Sequence, residues 1–219
     1  MGNTAYFTVA TVIPSLVIPL GLAVLLNRIP LRGLLRSAYF LPSITSLVAA
    51  GLGFRWLFQT EGPINAFLSY FGIEPIPWLG STIWAMPVLI LLSVWKQLGF
   101  NMVVFLAGLQ TIPTSRYEAA ELDGANAWQQ FWYITLPGLQ PTLIFATITT
   151  AIFTLRSFEQ VYVITGGGPI NSTNVLVYYI YEQAFAQFDF GYAAAAATVL
   201  LAIALILVYL QLQTWGEEN

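Results

Sequence analysis

Four ionised side chains fall within eight residues at Arg116, Glu118, Glu121 and Asp123, at the head of the stretch RYEAAELDGANAWQQFWYITLP. The other charges that could do chemistry are isolated. Lys96 sits inside a long apolar run, and Arg156 and Glu159 stand three residues apart at the end of another. The chain has no histidine and no cysteine. Disulfides, thiolate chemistry, imidazole metal ligation and histidine general-base catalysis are therefore excluded, and no catalytic residue, metal or cofactor is expected. An intramembrane Lys96 is a candidate for an ion path, or it snorkels from a nearby helix end. Arg156 and Glu159 fit a local pair on one helix, or a gate or substrate contact. Arg55, near the end of an apolar run, fits an interface anchor.

Composition places these charges in a membrane protein. Of 219 residues, 58% are hydrophobic and 8% charged, with mean hydropathy +0.74; soluble domains carry about 25% charged residues. The net charge of −3 is spread out. No basic patch marks nucleic acid as a partner.

A helix needs about 20 apolar residues to span a bilayer. Five segments qualify: about 6–26, 37–58, 83–108, 139–158 and 192–212. The runs do not alternate as barrel strands would. The expected fold is all-α, a polytopic helical membrane protein forming one transmembrane domain over 1–219. The loop holding Arg28, Arg32 and Arg36 carries no acid and is assigned to the cytoplasm. Alternation then places a loop at about 111–137 inside, and loops at about 59–82 and 159–191 outside. The first residues lack the basic region of a signal peptide and read as a span. Within 159–191, TGGGPINST is a turn-rich loop, followed by an aromatic stretch that fits a short interfacial helix.

The charged loop reads as two short helices. Ser115 is the expected N-cap, with Glu118 closing a capping box, and Gly124 after Asp123 is the expected left-handed stop. A second helix fits 126–135, with Trp128, Phe131, Trp132 and Thr135 on one face. Leu136-Pro137 ends it, and Pro141 stands near the start of the next span. Such a loop serves either as a plain connection or as a docking knob with an exposed aromatic patch.

The spacing carries a resemblance. Glu118-Ala119-Ala120, three residues, Gly124, nine residues, then Ile134-x-Leu136-Pro137 resembles the EAA loop in membrane subunits of binding-protein-dependent ABC importers. The flanks SVWKQLGFNMVVFLAGLQTIP, FEQVYVITGGGPINSTNVLVYYIYEQAF and FDFGYAAAAATVLLAIALILVYLQLQ are similar to carbohydrate-importer permeases of the MalF type. The resemblance implies a multi-pass permease of the bacterial or archaeal inner membrane that is not itself an enzyme. It implies a coupling element centred on Glu118, Ala119, Ala120, Asp123, Gly124, Ile134, Leu136 and Pro137, with Arg116 and Tyr117 as further contacts. That element would sit in a cleft of cytoplasmic ABC ATPase subunits. A second permease subunit and an extracytoplasmic sugar-binding protein are the other implied partners. TGGGP lacks the GK[ST] of a P-loop and reads as a turn, with binding-protein contact as the family-based alternative. Sugar sites use aromatic faces and amide donors; Gln97 and Asn101 are available, and the residues lining the pathway stay open. The family has at least six spans, so a first span is expected to be missing, through a misassigned start or truncation. An ion-coupled secondary transporter, or a truncated fragment without function, are the alternatives.

Overall fold

Backbone polar groups in lipid must be satisfied within the protein, and the apolar runs at 2–26, 85–111 and 190–216 each fold as a single helix. The structure, a computed structural model, describes residues 1–27 and 39–216. Arg28, Arg32 and Arg36, which orient the chain by sequence, and the acidic tail at 217–219 lie outside the described residues. In chain order the helices are α1 (Gly2–Leu26), α2 (Leu47–Leu57), α3 (Pro63–Ser69), α4 (Ala85–Thr111), α5 (Thr114–Leu122), α6 (Ala127–Gln130), α7 (Gln140–Leu155), α8 (Glu159–Ile164), α9 (Leu176–Tyr181) and α10 (Phe190–Gly216). Residues 39–44 form a further helical turn before α2. Wide π-type turns continue α6 at Phe131–Thr135 and α9 at Glu182–Ala186. The described residues contain no strand.

Among them, α1, α4 and the first 24 residues of α10 are long and apolar enough to cross a membrane. The segment Ala127–Gly138 and α7 make a fourth crossing if counted as one bent span, with a 68° bend between them. The expected span at 37–58 is not one helix. Residues 37 and 38 lie outside the described residues, and the rest breaks at 45–46. There Ser46 takes an extended ψ of 132° and its Oγ accepts from the Ala49 N–H, starting α2 afresh. Thr45-Ser46 before the apolar Leu47 is an N-cap signal that overall hydropathy conceals. The expected span at 139–158 is shorter than drawn, because α7 stops at Leu155.

The core has two ends along α4. At one, Leu20, Ala23 and Leu26 of α1 meet Met102, Phe105 and Leu106 of α4, with Leu139 and Ala146 from the α7 segment. At the other, Phe7 meets Met86, Leu89 and Leu92 of α4 and Val161 and Ile164 of α8. The turn-rich loop closes this second end. Asn3 Nδ2 donates to the carbonyls of Asn171 and Asn174, and Thr4 Oγ1 accepts from the Leu176 N–H. Gly166 and Gly167 have φ of +58° and +78°, the left-handed turn that glycine supplies. Arg55 of α2 is exposed and donates to the Val163 carbonyl at 3.3 Å, tying α2 to α8.

Between the two ends lies a polar knot. Pro19 inside α1 has no N–H, so the carbonyl of Ser15, four residues back, loses its helical donor. Asn101 Nδ2 of α4 donates to that carbonyl at 2.7 Å, and to Thr150 Oγ1 of α7 at 3.1 Å. Asn101 and Thr150 are both buried. One amide thus ties three helices together by repairing a gap that a proline opened.

Replacing Asn101 by Ala should destabilise the protein by about 1–3 kcal/mol, the cost of leaving a buried acceptor unpaired. In a Pro19→Ala background, which restores the N–H donor to Ser15, the same replacement should cost less. Thermal unfolding in detergent of the four members of this cycle checks the coupling; strictly additive losses would refute the repair.

Candidate functional site

The charged loop forms a bracket on the first end of the core. Its first arm, α5, begins at Thr114 with Pro113 as N-cap at ψ 131°, and no side chain caps it. The expected box of Ser115 and Glu118 does not form. Proline with its fixed φ starts the helix, which draws Ser115 into the first turn. The box appears instead on the second arm. There Asn126 Oδ1 accepts from the Gln129 N–H at 2.9 Å, and Gln129 Oε1 accepts from the Asn126 N–H at 2.8 Å. Between the arms, Gly124 has φ +79°. The Ala125 N–H reaches the Ala120 carbonyl and the Gly124 N–H the Glu121 carbonyl, the two bonds of a Schellman stop.

The second arm does not end at Pro137 as expected. The helical path continues through Leu136–Gly138 and bends at Leu139, where α7 takes over. Pro141 stands in the first turn of α7, where its missing N–H costs nothing. Tyr117 OH lies 3.0 Å from Thr135 Oγ1, bridging the arms. Tyr117, Phe131, Ile134 and Leu136 pack against the core formed by Leu109, Ile112 and Leu139. The inner face of the bracket is therefore anchored on the spans.

Its outer face is open. Glu118, Ala119, Glu121, Asp123 and Gly124 are exposed, and Ala120 is half-buried. Leu122, Trp128 and Tyr133 are 89%, 68% and 79% exposed, large apolar groups left facing outward. Trp128, Phe131 and Trp132 contact one another at centroid distances of 5.5–6.2 Å, while Thr135, expected on the same face, is buried. Ala119, Ala120 and Asp123 share a groove of about 460 Å³ with Ile134 and Pro137. Glu118 lies on a different groove of about 540 Å³, with Glu121, Tyr117 and Asn27 at the end of α1. Gly124 belongs to neither groove and acts as the turn, and Leu136 points to the core. The eight residues singled out by spacing form one element with two faces.

A second site lies where the broken segment crosses α4. The turn at 39–44 ends in carbonyls without helical donors, and Lys96 supplies them. Its Nζ donates to the Pro42 carbonyl at 2.7 Å and also to those of Ser43 and Thr45. Ser43 Oγ donates back to the Lys96 carbonyl at 2.9 Å. The crossing is close: a Cβ on Gly99 would collide with the Tyr39 carbonyl oxygen. Beside it opens a cavity of about 680 Å³, lined by Lys96, Gln97, Phe100, Phe153, Arg156 and Glu159 among others. Arg156 caps α7 and Glu159 opens α8, so the expected pair on one helix is absent. No ion pair joins them among the described residues. Gln97 is 6% exposed and its Nε2 has no hydrogen-bond partner. The two amides left open by sequence thus divide: Asn101 is a tie between helices, and Gln97 lines the cavity. Missed by sequence was Phe40, brought to the cavity by the break before α2.

With this geometry in hand, comparison with known proteins is informative. The sequence profile of the family described as "Binding-protein-dependent transport system inner membrane component" matches residues 4–217. The lactose transport system permease protein LacF of Rhizobium radiobacter is 43% identical over 189 residues, covering 84% of this chain and 63% of that protein. The arabinooligosaccharides transport system permease protein AraP of Halalkalibacterium halodurans is 38% identical over 194 residues, covering 86% and 61%. The chain thus spans less than two thirds of the length of these curated relatives. A bacterial alginate ABC transporter, solved in complex with an alginate pentasaccharide-bound periplasmic protein, has a chain that superposes with a TM-score of 0.84 at 28% identity, covering 96% of this chain and 75% of that one.

Replacing Lys96 by Met should leave the carbonyls of Ser43 and Thr45 without their Lys96 donor, and that of Pro42 with only the Thr45 hydroxyl, and cost about 1–3 kcal/mol. Lys96→Arg, which keeps the donors, should cost less. Melting temperatures of the two variants test this; equal loss would show that side-chain shape, not hydrogen bonding, matters at this site.

Proposed function

This chain belongs to the family of binding-protein-dependent transport system inner membrane components, and on that premise we propose that it is the permease subunit of an ATP-driven sugar importer. It works with a second permease subunit, cytoplasmic ABC ATPase subunits and an extracytoplasmic sugar-binding protein. Sugar as cargo is supported by the names of its relatives, which transport lactose and arabinooligosaccharides. ATP hydrolysis belongs to partner chains, since the sequence carries no P-loop.

The observation that carries this reading is the two-faced bracket at 114–138. One face is anchored in the core beneath α4 and α7, and the other presents an acidic helix and exposed aromatic groups with nothing covering them. Apolar groups exposed beside charge mark a protein-docking surface. The bracket is the coupling element: Glu118, Ala119, Ala120 and Asp123 meet the ATPase, Gly124 shapes the turn, and Ile134, Leu136 and Pro137 carry the motion to the spans. The cavity beside Lys96 is then part of the sugar path. Gln97 offers it an unused amide, and Phe100 and Phe153 offer apolar faces, the mix that small-molecule sites use.

An ion-coupled transporter would need Lys96 free to exchange a proton. Its ammonium is instead held by backbone carbonyls, which favours the importer reading.

Replacing Glu118 by Ala, or Gly124 by a residue that resists a φ of +79° such as Val, should uncouple the transporter. Sugar uptake by the assembled complex should fall at least about tenfold, a loss of roughly 1.4 kcal/mol in coupling, through lost ATPase association or through ATP turnover without transport. Uptake and ATPase association both at wild-type level in both variants would remove the assignment.

A further inference from the structure

The loop that leads into α4 carries aromatic groups that the protein leaves uncovered. No charged residue lies between Gly62 and Ile73, and Phe67, Tyr70 and Phe71 are 61%, 86% and 68% exposed. Phe67 and Phe71 meet at a centroid distance of 5.3 Å. The exposed acids Glu61 and Glu74 flank this tip. The loop enters α4 at the end opposite the coupling bracket, which follows Thr111.

The loop is held down at both ends. Gly62 lies on the last turn of α2, where a Cβ would press into the carbonyls of Trp56, Leu57 and Gln59. Asn65 of α3 is buried and uses its whole side chain. Its Nδ2 donates to the carbonyls of Thr60 and Ile76, and its Oδ1 accepts from the Ile76 N–H and the Trp78 Nε1–H. Trp78 in turn touches Phe58 at the end of α2 and Trp84 at the start of α4, at centroid distances of 5.8 and 5.2 Å. Asn65 thus ties α3 to a ring that stands beside the first residue of a membrane-crossing helix. Trp56, in the last turn of α2, and Trp84 are both exposed, as rings at a membrane–water boundary are.

The tip has few polar groups left for a partner. The N–H groups of Phe71 and Ile73 both go to the Leu68 carbonyl, and that of Gly72 goes to the Ser69 carbonyl. Ser69 Oγ donates to the Ala66 carbonyl. A protein interface carries about one hydrogen bond per 100–200 Å², whereas a bilayer boundary takes amphipathic rings whose backbone is already satisfied.

We propose that the loop at 59–84 lies in the headgroup layer of the leaflet opposite the bracket, with Phe67, Tyr70 and Phe71 as its lipid anchor. The two phenylalanines enter the acyl boundary, and the Tyr70 hydroxyl stays among the headgroups. Glu61 and Glu74 stay in water. Residues 56–95 hold no Lys or Arg, so the anchor rests on rings and not on pairing with lipid phosphate. It sets the height at which α2 ends and α4 begins, and it holds whatever the cargo.

The chain has no cysteine, so Phe67→Cys, Tyr70→Cys and Phe71→Cys each take a single spin label. The labelled chains are then assembled with the partner subunits in phosphatidylcholine vesicles. Collisions of the label with oxygen and with a water-soluble nickel chelate report its depth. All three labels should lie about 5–10 Å inside the headgroup boundary, and a label at Glu74→Cys outside it. Addition of the extracytoplasmic binding protein should leave these depths unchanged. Labels at 67, 70 and 71 as open to the nickel chelate as the label at 74 would overturn the anchor. So would labels shielded from water only once the binding protein is added, which would make the tip a protein-docking surface.

Discussion

Everything in this fold answers to the need of backbone carbonyls for donors where water is absent. An interruption of a helix frees acceptors that must be met, and at two interruptions α4 supplies donors. Asn101 repairs the gap left by Pro19 in α1, and Lys96 gathers the carbonyls at the end of the turn 39–44. Because both repairs come from one helix, α4 fixes the positions of α1, α7 and the broken segment. Gly99 lets that segment approach α4 closely enough for Lys96 to serve it.

The same helix joins the two regions that the proposed function needs. The coupling bracket rests on Leu109 and Ile112 at one end of α4 and on Leu139 at the bend into α7. The cavity is lined by Lys96, Gln97 and Phe100 of α4 and by residues at the far end of α7. The bracket and the cavity are thus joined by two packed helices, α4 and α7. The bend at Leu139 is the point at which regular helix is broken between the bracket and α7.

The polar groups of the interior divide by partner. Those with a full set of partners, such as Asn101 and Lys96, are structural, however functional they look in a list of intramembrane polar residues. Gln97, one residue from Lys96, has a buried side-chain donor left over and is among the residues that line the cavity. Burial alone does not separate these cases. The difference is whether a helix interruption nearby supplies acceptors.

The local chemistry of the chain determined much by itself. Composition and run length gave an all-α membrane fold, and the spacing from Glu118 to Pro137 identified the loop and its family. Gly124 could be read as a left-handed stop because φ preference is a property of the residue. Other features needed tertiary structure. The helix cap moved from Ser115 to Pro113, and the span at 37–58 proved to be broken at the Ser46 cap, because several local signals compete in each segment and the structure shows which one prevails. Arg156 and Glu159 ended on different helices once α7 stopped at Leu155. The roles of Lys96, Gln97 and Asn101 were the least readable of all. Three polar residues within six positions of one helix look equivalent in sequence, and only the neighbouring backbone, with or without free carbonyls, decides which is a brace and which keeps an unpaired donor.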